Sequence, residues 1–205
     1  MEELKMTVTL TLGLDLAGKP KNPTGWATLE GRHIKAGEVY TDKEIIGLVE
    51  SKSPMLTAID SPLSLPREGL LRKADKEMIR HGYRVFPPRL PAMEKLTKRA
   101  IKLTEQITKR GFRVIEVHPT STRKALGIPT KEWRKIQDIL AQIGLKGEHE
   151  RRTLTPHEID AVTAALTARL HIEKATVKFG DEEEGYIIVP KPQDWRQIQT
   201  WKHGT

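Results

Sequence analysis

The chain has no cysteine, which excludes disulfides and thiolate metal ligands and suits a cytosolic protein. Aromatic residues make up only 5%, too few for a broad platform on which bases would stack. No stretch approaches ~18 consecutive apolar residues, so neither a membrane span nor a membrane partner is expected. The first residues, MEELKMTVTLTLGLDL, carry acids early and no long apolar segment, so a secretory signal is not expected either. Internal repeats and a long linker are also lacking. The 205 residues are therefore expected to form one domain, 1–205, with insertions at about 64–92 and 119–154.

Positive charge is in excess. Lys and Arg number 35 against 27 Asp and Glu, a net charge of +8. Such a balance favours a polyanionic partner, nucleic acid first among them. Charged residues reach 30%, which also fits a thermophile surface laced with ion pairs.

Periodicity gives the elements. In residues 6–16 the aliphatic Val8, Leu10, Leu12, Leu14 and Leu16 alternate with Thr7, Thr9, Thr11, Gly13 and Asp15. This is a strand whose second face ends in Asp15. Thr24–Leu29 and His33–Tyr40 read as two more strands of an antiparallel meander. A helix capped by Thr41 or Asp42 runs over Ile45, Ile46, Leu48 and Val49. Met55–Ile59 fits a buried parallel strand that stops at Asp60 before Ser61-Pro62. Leu70–His81 reads as helical and Phe86–Pro91 as a proline-rich loop. Met93, Leu96, Ala100, Leu103 and Ile107 mark a long helix. Phe112–Val117 is a further strand, with Glu116 near its end. Residues 119–154 form a basic helical excursion. Thr155-Pro156-His157-Glu158 is a capping box that opens an alanine-rich helix to Ile172. Thr176–Val189 reads as a hairpin whose acidic tip, Asp181–Glu184, is a solvated turn rather than a metal site. The tail Trp195–Trp201 carries no clear pattern.

The order is an antiparallel meander followed by crossover-connected strands, a mixed α/β sheet with helices packed on it. Ligands of such sheets bind beyond the carboxyl ends of the strands. Asp15, Asp60 and Glu116 lie there, and in neighbouring parallel strands they would cluster. Clustered carboxylates repel one another, and a hard divalent cation removes that cost. An oxygen donor set suits Mg²⁺ or Mn²⁺ rather than zinc. On the late helix Glu158 is explained by its capping role. Asp160 is followed by the small residues Ala161-Val162-Thr163-Ala164-Ala165, and an acid on such a close-packed face is costly without a partner. His157 shares a face with Asp160 and could assist chemistry or hold a phosphate.

GLDLAG at 13–18, TGWA at 24–27, AIDSPL at 58–63, IEVHPTST at 115–122, HEIDAVTAALTARL at 157–170 and GDEEEGYIIVP at 180–190 together resemble a family of predicted ribonuclease-H-like nucleases. The likeness spans nearly the whole chain, and its specificity lies in the combination. It implies a ribonuclease-H-like α/β fold: a mixed five-stranded sheet flanked by helices, with a helical insertion and a C-terminal hairpin. It also implies metal-dependent nuclease activity. The wider superfamily, Holliday-junction resolvases included, places acids on the first strand, the fourth strand and a late helix, where Asp15, Asp60 and Asp160 stand. His157 followed by Asp160-Ala161 is similar to the resolvases' final helix. Glu116 departs from the usual acidic places, so it could instead orient a ligand or bind substrate.

The expected chemistry is phosphodiester hydrolysis with two Mg²⁺ or Mn²⁺ ions ~4 Å apart. Asp15 would bridge them, and Asp60, Glu116 and Asp160 would complete their shells. Lys19, Arg72, His118, Arg123 and His157 are the candidates for binding substrate phosphates. Two rivals remain. One is a phosphotransferase or ATPase on an actin-like fold, which would need a glycine-rich phosphate loop that Asp60-Ser61-Pro62 does not supply. The other is a non-catalytic nucleic-acid-binding module.

Overall fold

The computed structural model describes residues 9–198. Its first half follows the expected order: strands β1 (Leu10–Asp15), β2 (Thr24–Glu30) and β3 (His33–Val39), helix α1 (Asp42–Lys52) and strand β4 (Leu56–Asp60). Then come helices α2 (Lys73–Arg80) and α3 (Pro91–Thr108) and strand β5 (Val114–Val117). The excursion contains α4 (Pro119–Ala125), α5 (Trp133–Gln142), the two-residue strand β6 (Lys146–Gly147) and α6 (Glu148–Arg151). Helix α7 (Pro156–Ile172) and the hairpin β7 (Thr176–Asp181) and β8 (Gly185–Pro190) close the chain. A 3₁₀ turn at Trp195–Gln197 buries Trp195. Residues 6–8 of the first expected strand and 199–201 of the tail lie outside the described residues.

All these strands form one sheet in the order β6-β3-β2-β1-β4-β5-β8-β7. The central five, β3-β2-β1-β4-β5, are those expected: β1, β2 and β3 are antiparallel neighbours, and β1, β4 and β5 run parallel. The sheet has eight strands rather than five because both edges are extended. Ile187 and Ile188 of β8 pair in parallel with β5, which draws the whole hairpin into the sheet. The apolar run of β8 suits such a doubly covered position. On the other edge Lys146-Gly147 pairs with His33-Ile34, a contact too short to leave a periodic signal.

The two faces differ. Leu12, Leu14, Leu16 and Ile59 pack on Ile45, Ile46 and Val49 of α1 and Ala100, Leu103 and Ile107 of α3. The opposite face receives α7, which is buried along most of its length. Leu56, Ala58 and Val117 meet Ala164 and Ala168, and Ala27, Leu29 and Ile34 meet Ile159, Ala161, Val162 and Ala165.

Helix α7 lies unusually close to the sheet. A Cβ at Gly13 would collide with the carbonyl of Ala161 and the amide of Ala165, and one at Gly25 with the carbonyl of His157. The helix backbone occupies space that side chains normally fill, and the Thr11 hydroxyl donates 2.9 Å to the Ala165 carbonyl. Its start is fixed by the expected capping box: Thr155 Oγ1 accepts from the Glu158 amide (3.2 Å), and Glu158 Oε2 from the Thr155 amide (2.8 Å). Arg152 adds two bonds to Glu158.

Helix α2 starts later than its apolar pattern suggests. The Arg72 amide donates to Asp75 Oδ2 at 2.8 Å, so the chain turns helical only at Lys73. The acidic hairpin tip is not simply solvated. Glu184 accepts from the amides of Arg67 and Lys73, both at 2.7 Å, and its carbonyl accepts from the Ser64 hydroxyl. The tip therefore ties down the segment that follows β4.

Gly13→Ala and Gly25→Ala are each expected to lower stability by about 1–3 kcal/mol through overpacking. In differential scanning calorimetry that is several degrees of Tm for a chain of this size. Gly47→Ala on α1, where a Cβ meets open space, is expected to raise stability by about 0.5–1 kcal/mol.

Candidate active site

Register sets the centre of the site. Asp15 and Asp60 are direct partners across the parallel β1–β4 pair. Register partners share a face, and alternation puts this one on the α7 side, with Gly13 and Ala58. The close seat of α7 brings its first turn over the same spot. His157 Nδ1 lies 2.6 Å from Asp15 Oδ2, and Asp160 projects from the next turn position. Helix α4 brings Arg123 to Asp160, where Nη1 pairs with Oδ1.

The charges respond to this crowding. Burial pushes the Asp60 carboxyl well above the usual range, and Asp15 and Asp160 nearby push it further. Burial also raises Asp160, with Arg123 opposing. The hydrogen bond to Asp15 raises His157 above the ordinary 6.5. Asp60 and Asp160 hold protons more tightly than exposed acids because burial penalises their charged forms and like charges stand close by. Oxygen donors held this way fit a hard divalent ion. Among the described residues no set of three acids or histidines is arranged to hold a metal: His157 is turned onto Asp15 and Arg123 onto Asp160.

Glu116 and Arg72 are placed otherwise than expected. Glu116 is the register partner of Ile59, not of Asp60, so its side chain points to the opposite face. There it accepts from Arg72 Nη1 at 2.7 Å and Nη2 at 2.6 Å, and from the Leu63 amide at 2.8 Å. Arg72 is 0% exposed and also binds both oxygens of Asp75. Burial alone would lower its pKa, but the bonds to Glu116 and Asp75 raise it. A guanidinium so enclosed cannot meet a substrate phosphate, and its partner carboxylate is already satisfied. The two residues form a buried ion pair, and they line the same cleft as Asp15 and Asp60.

His118 lines a cleft with Asp15, Asp60, Ser61, Pro62 and Phe86. Burial, with Arg123 nearby, pushes its pKa down to about 4, and Nδ1 lies 2.7 Å from Ser121 Oγ. Burial therefore favours its neutral form, and the ring stands on the cleft wall. Lys19 sits exposed on the turn after β1, where its carbonyl accepts from the Asn22 amide. Arg99, which the sequence reading overlooked, secures the loop after Asp15 from α3. It donates to Asp42 Oδ1 and to the carbonyls of Ala17 and Tyr40. Arginines occur throughout the exposed faces of these helices, so no local pattern sets Arg99 apart.

Residues 13–184 match the family described as protein of unknown function (DUF429), and the chain belongs to that family. Its fold is that of the RuvC resolvases. A structure titled T. thermophilus RuvC in complex with Holliday junction substrate aligns with a TM-score of 0.53 at 15% identity, covering 81% of this chain and 96% of that one. A second, titled Thermus thermophilus RuvC structure, aligns at 0.47 and 18% identity with the same coverage. No curated protein sequence matches.

In an NMR titration of the imidazoles, His157 is expected to titrate above 6.5 and His118 near 4. Asp15→Asn should return His157 toward the ordinary value. Between pH 6.5 and 4 the unfolded chain binds a proton at His118 that the folded chain refuses, so this group's contribution to stability falls as pH drops through that window, at most about 1.4 kcal/mol per pH unit. Glu116→Gln leaves Arg72 short of a charge partner and should cost about 3 kcal/mol in denaturant unfolding.

Proposed function

We propose that this protein is a metal-dependent nuclease that hydrolyses phosphodiester bonds at the Asp15–Asp60–Asp160 cluster. The observation that carries the reading is the register pairing of Asp15 with Asp60 under the start of α7. It converges acids from three elements on one spot, where burial first and the neighbouring acids second raise the proton affinity of Asp60 and Asp160. With His157 released from Asp15, the carboxylates of Asp15 and Asp60 and the remaining oxygen of Asp160 would supply the oxygen donors for Mg²⁺ or Mn²⁺. A divalent ion there supplies Lewis-acid charge to a phosphodiester and activates water.

The chain's own groups divide the remaining work. Protonated His157, half-exposed beside Asp15, can place an N–H on a phosphate oxygen or return a proton to the departing oxygen. Neutral His118 adds an uncharged hydrogen-bonding group to the cleft wall. Arg99 holds the loop after Asp15 still. The net charge of +8 draws a polyanion toward this acidic centre. Support for nucleic acid as substrate comes also from the RuvC structure, whose title records a Holliday junction substrate. An actin-like phosphotransferase gains no comparable support, because β4 runs directly into Ser61-Pro62 without a glycine-rich loop.

The test uses labelled single-stranded, duplex, hybrid and branched nucleic acids with Mg²⁺ or Mn²⁺. The wild type is expected to cut at least one of them. An Asp15→Asn/Asp60→Asn double variant should lose about a thousandfold in rate, the equivalent of several kcal/mol of charge stabilisation. Binding without cutting, unaffected by a chelator, would instead mark a nucleic-acid-binding module.

A further inference from the structure

Arg123 is an unusual neighbour for a metal-binding acid. It is 1% exposed and is held on all sides. Besides its pair with Asp160, Nη1 lies 3.4 Å from Thr163 Oγ1, and Nη2 donates to the Thr130 carbonyl at 3.2 Å. The guanidinium stacks over the Trp133 ring at 5.4 Å. Its Nε is buried without a partner, a cost that marks the group as placed for its charge rather than for complete hydrogen bonding. Helix α4, which carries it, is itself pinned to α7 by the Thr122–Thr167 hydroxyl pair at 2.8 Å. A side chain enclosed in this way does not swing aside when a cation arrives.

This changes the charge balance that a two-ion arrangement assumes. Glu116 is committed to Arg72 on the other face, so three acids remain: Asp15, Asp60 and Asp160. One oxygen of Asp160 is already engaged by a fixed positive charge. Three carboxylates with one guanidinium leave a deficit that a single divalent ion neutralises, and His157, when protonated against Asp15, makes that deficit smaller still. A second ion would be placed beside a buried guanidinium in a low-dielectric surround, where like charges repel strongly.

Resting on the nuclease reading above, we infer that Arg123 takes the place of a second cation, so that the acidic cluster binds one divalent ion per chain. Arg123 is then a positioning residue: it acts through Asp160, fixing the carboxylate and setting a positive charge beside it. A lysine can supply the same charge; a glutamine cannot.

The experiment counts Mn²⁺ bound to the full-length chain without nucleic acid, by electron paramagnetic resonance of the free ion, for wild type, Arg123→Lys and Arg123→Gln. Circular dichroism verifies folding. One ion is expected on the wild type and on Arg123→Lys, and two on Arg123→Gln. Two ions on the wild type overturn the inference and leave the nuclease reading standing, as does a single ion on folded Arg123→Gln. Absence of Mn²⁺ binding in the wild type overturns both. If Arg123→Gln does not fold, the counts on wild type and Arg123→Lys decide, two ions on either overturning the inference.

Discussion

The contact on which the rest of the molecule depends is backbone against backbone: helix α7 resting on Gly13 and Gly25. Ordinary helices stand off a sheet by the depth of their side chains, about 10 Å from axis to sheet plane. Two glycines under a run of alanines remove that spacing here. The closer seat is what allows a side chain on the first turn of α7 to meet the short carboxylate at the end of β1. Asp15 and His157 are joined directly across a sequence separation of 142 residues. With larger residues at either glycine the helix would ride higher, and the acids of sheet and helix would face separate pockets of solvent.

Around that contact the protein sorts its charges by sheet face. On the α7 side Asp15, Asp60 and Asp160 are gathered against one guanidinium and one imidazole. On the α3 side Glu116 and Asp75 are given to a buried arginine whose hydrogen bonds are nearly complete. Removing one partner from such a pair is costly, although the intact pair contributes little net stability. The two arrangements meet in one cleft at the end of the same strands, and they differ in the number of guanidinium hydrogen bonds available to each carboxylate. Arg72 donates to both of its acids and to the Ser64 hydroxyl, whereas Arg123 hydrogen-bonds only one of the three acids opposite it.

Much of this was legible in the sequence, because it rests on periodicity. Asp15 and Asp60 end strands whose alternation is clean, and the alanines after Asp160 announce a close helix. Glu116 was misplaced through parity: it stands one residue before the end of its strand, whereas Asp60 stands at the end, and a shift of one residue exchanges the faces. Arg72 could not be read at all, since nothing local distinguishes an arginine bound for the interior from one on the surface. The hairpin was visible as a hairpin, but its membership of the main sheet is a long-range pairing of β8 with β5. Likewise the acidic tip looked solvated because its partners, the amides of Arg67 and Lys73, are more than a hundred residues away.

That tip has a consequence for the order in which the molecule is completed. The segment after β4 forms a wall of the cleft beside Asp60, yet it is fastened by Glu184, a residue made long after it. During vectorial synthesis the acids of β1 and β4 emerge first, then Asp160, and only afterwards the clasp that closes the wall. An unfinished chain thus carries the acids without the wall of the cleft beside them. Completion of the last hairpin and maturation of the cleft are one event.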